Sequence, residues 1–155
     1  MAIKLKAFRE LAKKIQKLDE NKILKKVFSD DLLQAQILDL NTKGQLYERG
    51  VDSKGDPTGE YAPFTLAYKQ TIAGALGNDT RTDHITLKDT GEFYESFKFK
   101  NKDDGFIIEA DTQKEETDLQ QVYPHVLGLD AQSRNEIRND IKIRFMEILR
   151  NSFAR

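Results

Sequence analysis

The chain contains no cysteine, which excludes disulfides, thiolate zinc sites and a cysteine nucleophile. Histidine is scarce: His84 and His125 are the only two, and neither stands in a metal-ligand spacing such as H-E-x-x-H or H-x-x-x-H. Long apolar runs are missing as well. The opening MAIKLKAFRELAKKIQKL is basic and never holds the roughly 7 to 15 consecutive apolar residues of a signal peptide, and no run approaches the ~20 needed to cross a membrane. The expectation is a protein made and folded in the cytoplasm, with no membrane contact. Ser29, Ser53, Ser96 and Ser133 lie outside any G-x-S-x-G elbow. Gly74 and Gly77 are not followed by the Gly-Lys-Ser/Thr of a phosphate loop. No complete catalytic set is present.

What is present is length for one domain, 155 residues, and charge unevenly spread. Residues 1–26 carry a net +6, residues 27–129 a net −9 and residues 130–155 a net +2, although the whole chain sums to −1. Basic ends and an acidic middle suit either nucleic-acid contact or complementary contact between subunits. The plainer reading is the solvated face of an amphipathic helix.

Periodicity divides the chain. Leu5, Phe8, Leu11, Ala12, Ile15 and Leu18 fall at helical spacing between lysines, predicting a first amphipathic helix to about Leu18. After DEN, the residues Ile23, Leu24, Val27 and Phe28 continue an apolar face. Ser29 is the expected N-cap of a second long helix, with Asp30 and Asp31 at its positive end. Its stripe is Leu33, Ile37, Leu40, Gly44 and Tyr47; the glycine implies close approach of another backbone, and Gly50 marks the stop. VDSKGDPTGEYAP is a turn region. It fails as a calcium loop, because Lys54 occupies the third position and no glutamate the twelfth. Thr65 is the expected cap of a short helix whose Tyr68, Ile72 and Leu76 share a face, ended by Gly74 and Gly77.

The densest stretch is DHITLKDTGEFYESFKFKNKDDGFIIEA, residues 83–110. ITL is an extended anchor. DTGEFYESF predicts a short helix capped by Asp89 or Thr90, with Glu92 placed as in a capping box and Phe93 and Phe97 four apart. The period then changes to two. Phe97 and Phe99 alternate with Lys98 and Lys100, KDDG supplies a turn, and Phe106, Ile108 and Ala110 alternate with Ile107 and Glu109, which predicts a hairpin over residues 97–110. DTQKEETD, residues 111–118, has no apolar residue and reads as a mobile, solvated tip. VYPHVLGL returns to the core, and Ile137, Ile141, Phe145, Ile148 and Leu149 stripe a long final helix. The expected class is α+β: N-terminal helices, a small antiparallel sheet built on the hairpin, and the C-terminal helix packed on it. A basic arm is expected over residues 1–28, ahead of a core over residues 29–152. A mononuclear metal site from Asp83, His84, Asp89 and His125 is conceivable, but the structural reading of these residues is the stronger.

One combination of residues is more specific. LNTKGQLYERGVDSKGDPTGEYAPFT, then LKDTGEFYESF, then strands and a terminal amphipathic helix resemble small morphogenesis proteins of tailed bacteriophages, the group of head-tail joining, neck and tail-completion proteins. The motif is a Leu-x-x-Thr-Gly-x-Leu-x-x-Ser pattern, carried here by Leu87, Asp89, Thr90, Gly91, Phe93, Ser96 and Phe97, with Phe93 where leucine is usual. The resemblance spans roughly residues 38–152 and leaves the first helix outside. It implies a non-catalytic, cofactor-free virion component, made in the host cytoplasm, that associates with itself, as a ring, and with neck, portal or tail proteins. DNA would be met only in a lumen or by the arm. Lys4, Lys6, Arg9, Lys13, Lys14 and Lys17 are the candidate assembly or nucleic-acid contacts. Two other classes stay open: a nucleic-acid-binding module, on those same basic residues, and a metal-dependent hydrolase or nuclease, on the histidine and aspartate pairs.

Overall fold

In the computed structural model the backbone is described for residues 2–154 and the side chains for residues 8–154. Three helices open the chain: α1 (Ala2–Gln16), α2 (Glu20–Val27) and α3 (Asp31–Asp39). Aspartates start the latter two. Asp19 accepts from the Lys22 amide at 3.2 Å, and Asp30 accepts from the Leu33 amide at 2.8 Å. Ser29, expected as the cap, instead donates its hydroxyl to the Lys25 carbonyl at 2.6 Å. It closes the preceding helix while a carboxylate, the better match for free amides and the dipole, opens the next.

Beyond Asp39 the helix widens. Residues Leu40–Arg49 are π-helical and end at Gly50, whose φ of 60° only glycine adopts without strain. The extra residue per turn rotates the buried face. Leu33 and Ile37 are fully buried as the stripe predicts, but past the change of pitch the buried positions are Asn41, Thr42, Gln45 and Leu46 rather than Leu40, Gly44 and Tyr47. Gly44 meets nothing beyond its own segment, so no neighbouring backbone explains it.

The middle of the chain is short elements and loops. α4 (Pro63–Thr71) begins with proline at its first position and Ala62 as its cap, leaving Thr65 inside the first turn rather than at the start. A 3₁₀ turn, Ala73–Leu76, follows and stops at Gly77. α5 (Glu92–Glu95) leads directly into β1 (Lys98–Lys102), which pairs antiparallel with β2 (Gly105–Glu109) across Asp103 and Asp104. Phe99 faces Ile108 and Asn101 faces Phe106 in the register, so the apolar set shares one side of the hairpin as its alternation predicts. A second, very short hairpin, β3 (Gln113–Lys114) and β4 (Thr117–Asp118), turns through Glu115 at φ 53°. The stretch expected to be a mobile tip is therefore a closed turn, and its Asp118 caps α6 (Leu119–Val122) by accepting from the Gln120 amide at 2.9 Å.

The last element, α7 (Ala131–Phe153), packs on α2, α3 and the π segment, while the β1–β2 hairpin lies on α2 and α3. The class is mixed α+β and mostly helical. Ile23, Val27 and Phe28 join Leu33, Ile37, Leu46, Phe97, Ile108, Val126, Leu129 and Ile137 in one core, with Ile141, Phe145, Ile148 and Leu149 packed against it. Phe28 sets its ring edge on Phe106 at 5.1 Å, and Phe106 stacks on Phe99 at 4.8 Å. α2 thus belongs to the core. Of the basic arm expected over residues 1–28, only α1 stands off it.

Candidate assembly surface

The Thr-Gly motif builds a corner in which almost every polar group has a local partner. Gly91 caps α5 with φ 98°, and no side-chain oxygen of Asp89 closes the helix start; the Thr90 hydroxyl accepts only a long 3.4 Å bond from the Glu92 amide. The capping box read from Glu92 does not form. Asp89 works elsewhere: its carbonyl accepts from the Asp79 amide at 2.9 Å, and its carboxylate pairs with Lys114 at 3.4 Å. Ser96 donates to the Phe93 carbonyl at 2.6 Å and accepts from the Asp111 amide at 3.0 Å, which ties the short helix to the strand exit. Phe93 and Tyr94 set their rings against Phe97 at 5.0 and 6.2 Å. Leu87 holds φ 58°, a left-handed conformation that costs a leucine about 1–2 kcal/mol. It is held there by its neighbour, whose carbonyl accepts from the Tyr94 hydroxyl and whose hydroxyl takes the Lys88 amide.

Behind this corner lies a buried ion pair. Lys69 of α4 reaches the Asp79 carboxylate at 2.8 Å and the Asp79 carbonyl at 2.9 Å, with the two side chains 4% and 3% exposed. Thr86 donates to the same carboxylate at 2.9 Å, Tyr61 joins Thr86 at 3.0 Å, and the ammonium stands 4.8 Å over the Tyr61 ring. Burial pushes against both charges, and the hydrogen bonds outweigh it, so Lys69 titrates above and Asp79 below its ordinary value. Burial also pushes the Tyr94 phenol well up. This network pins the loop before the motif to α4.

A second network fixes residues 126–130 to the π segment. Asn41 donates to the Val126 carbonyl at 3.2 Å and accepts from the Gly128 amide at 2.8 Å; Gln45 donates to the Gly128 carbonyl at 2.9 Å and accepts from the Asp130 amide at 2.8 Å. Two side-chain amides on the π segment therefore pair with residues 126–130 as a neighbouring strand would. Arg49 completes the clamp with bonds of 2.6 and 2.9 Å to the two carboxylate oxygens of Asp130 and one of 2.8 Å to the Ser133 hydroxyl. The guanidinium holds the Asp130 carboxyl far below the usual range.

The histidines and aspartates do not converge. The His84 ring sits against Gly50, bonds the Tyr47 carbonyl at 2.8 Å through Nε2 and lies 3.2 Å from Asp83. Asp83 is drawn down to about 2 by the Arg81 guanidinium. His125 presents its carbonyl to the Ser53 amide at 2.8 Å, and Asp89 is paired with Lys114. Among the described residues no three His, Asp or Glu side chains come together as a metal site would need. Asp52, the calcium-loop candidate, accepts from the Lys54 and Asp56 amides instead. Sequence reasoning singled out none of Asn41, Gln45, Lys69 or Asp79. An amide or lysine on a helix gives no sign in sequence of which backbone or carboxylate it will meet.

The surface is more distinctive than the interior. The apolar side of α1 is bare: Phe8 is 71% exposed, Ile15 53% and Leu11 44%, and Arg9, Lys13, Lys14 and Lys17 are exposed around them. The side chains of Lys4 and Lys6 lie outside those described. Phe64 is 87% exposed and lines an open groove of 710 Å³ between α4 and the β3–β4 turn. Leu87 and Asp89 of the motif line that groove and also a smaller depression of 140 Å³ with Thr90, Gly91, Phe93 and Ser96. Phe97, the remaining motif residue, is buried beneath. Comparison with family models, curated proteins and solved structures finds no match to this chain.

Proposed function

We propose that this chain is a non-catalytic structural protein of a tailed-phage or prophage virion. It associates with itself, as a ring, at the head-tail junction or tail end. The observation that carries the self-association is α1, an amphipathic helix whose Phe8, Leu11 and Ile15 are exposed among the described residues. Isolated apolar residues on a surface are ordinary, but a contiguous helical stripe flanked by charge is the pattern of an interaction face. The virion role rests on the resemblance of the Thr-Gly motif and the turn region before it. The geometry at the motif suits that role, because its residues shape a loop, a helix and a strand and bring no nucleophile and base together. Head-to-tail contacts between unlike patches close into rings when the rotation permits, and basic ends with an acidic middle favour such contacts.

A second reading is supported by the exposed Arg9, Lys13, Lys14 and Lys17, which would let the arm meet DNA. The apolar residues between them favour protein. Labelling purified particles with an antibody to this chain tests the role: signal at the head-tail junction or tail end is expected. Particles free of the chain would refute it, and tight duplex-DNA binding that weakens with salt would move the second reading ahead.

A further inference from the structure

We infer that α1 of one copy docks in the α4 groove of a second copy, apolar stripe on apolar floor, an arrangement that deepens the self-association proposed above and rests on it. Each surface needs what the other has. The groove is lined by Tyr61, Phe64, Tyr68, Leu87, Leu119 and Tyr123, a largely aromatic floor open to solvent. No described side chain of α1 lines it. Its charged lining is Lys69, Lys88, Asp89, Lys114 and Glu115. Glu115 and its chain neighbour Glu116, and Glu60 next to Tyr61 in the chain, are exposed and form no salt bridge among the described residues. Each lysine of the lining has a partner within the chain. Lys114 pairs with Asp89, Lys88 lies over the Tyr47 ring at 4.7 Å and Lys69 is buried with Asp79.

The arm carries the complementary set. Phe8, Leu11 and Ile15 repeat at three and four residues along about 10 Å of helix, the anchor spacing by which an amphipathic helix lies in a groove. Arg9, Lys13, Lys14 and Lys17 flank that stripe, and Glu10 is the one acidic residue between Phe8 and Leu18. A basic helix seated there brings cations within reach of Glu115 and Glu116, with Lys114 of the lining already paired to Asp89. Contact between an arm on one surface and a groove on another is also heterologous, the kind that builds rings rather than closed pairs.

The chain has no cysteine, so a single introduced thiol reports one position. Leu11→Cys chains and differently tagged Phe64→Cys chains, both altered at exposed sites, are mixed and treated with a short bis-maleimide, while sedimentation of the wild-type chain follows association in parallel. The mixed Leu11→Cys/Phe64→Cys dimer should dominate over either homodimer. Glu115→Lys with Glu116→Lys should lower its yield several-fold, and Lys13→Glu with Lys14→Glu added on the arm should restore part of it. Lys102→Cys, on the hairpin away from the groove, is the collision control. If the chain associates but cross-links only Leu11→Cys to itself, or Lys102→Cys as readily as Phe64→Cys, this docking is wrong and self-association stands. A chain that neither sediments as an oligomer nor cross-links overturns the docking, and self-association of the purified chain with it.

Discussion

Single side chains decide how the loops are held, and the hierarchy among them is measurable. Gln45→Ala strands the Gly128 carbonyl and the Asp130 amide at a fully buried position, so it should cost roughly 2 to 5 kcal/mol in chemical denaturation. An exposed glutamine on a helix would cost almost nothing. Among the hairpin aromatics, Phe97 is buried and Phe99 only half-buried against Phe106. Phe97→Ala should therefore cost about 3 to 5 kcal/mol and Phe99→Ala measurably less. Equal losses would mean that the two rings are equally enclosed. The inward side of the hairpin was readable from spacing, because Phe97, Phe99, Phe106 and Ile108 alternate on strands of short range. The buried polar groups were not. Lys69 lies on an amphipathic helix like any solvated lysine, and only the fold of the loop carrying Asp79 and Thr86 turns it inward.

At the scale of elements, the junction of the π segment with α7 has a pH signature. Asp130 titrates lower in the folded chain than in the unfolded one, owing first to Arg49. Its contribution is complete above the unfolded value of ~3.9 and is lost as pH falls from there through the folded value. Denaturation of the wild type should show stability declining below about pH 4. Asp130→Asn should start less stable at neutral pH and decline less steeply over that range; an unchanged acid slope would mean that the pair contributes nothing. The element types follow from period: α1, α3 and α7 at helical spacing, β1 and β2 at alternation. Departures arise where a local choice depends on contacts far along the chain. The widening at Leu40 brings Asn41 and Gln45 to residues 126–130, more than eighty positions away, and moves the buried face off Leu40, Gly44 and Tyr47. The β3–β4 turn forms although its residues are polar, because backbone pairing and the Asp118 cap close it. Composition alone suggests a loose tip there.

For the whole molecule, the charge partition and the exposed α1 stripe are the features on which the proposed self-association rests. Removing the apolar stripe tests this without touching the core. The triple variant Phe8→Ser, Leu11→Ser, Ile15→Ser should leave denaturation nearly unchanged, since all three are exposed, yet reduce self-association measured by sedimentation. A large loss of stability would instead place α1 on its own core. The solution state of the purified chain is only part of the matter, because assembly can require the preceding layer of the particle, and segments without partners often order on contact. The most direct measurement of the proposed virion role is therefore made on particles, by deleting the gene for this chain from the phage or prophage that the proposal requires to carry it and counting joined, infectious virions by electron microscopy and titre. The expected result is separate heads and tails or unfinished tail ends, with titre restored by the wild-type chain and not by the triple variant. Complete, infectious virions in undiminished number without the chain would contradict a structural role.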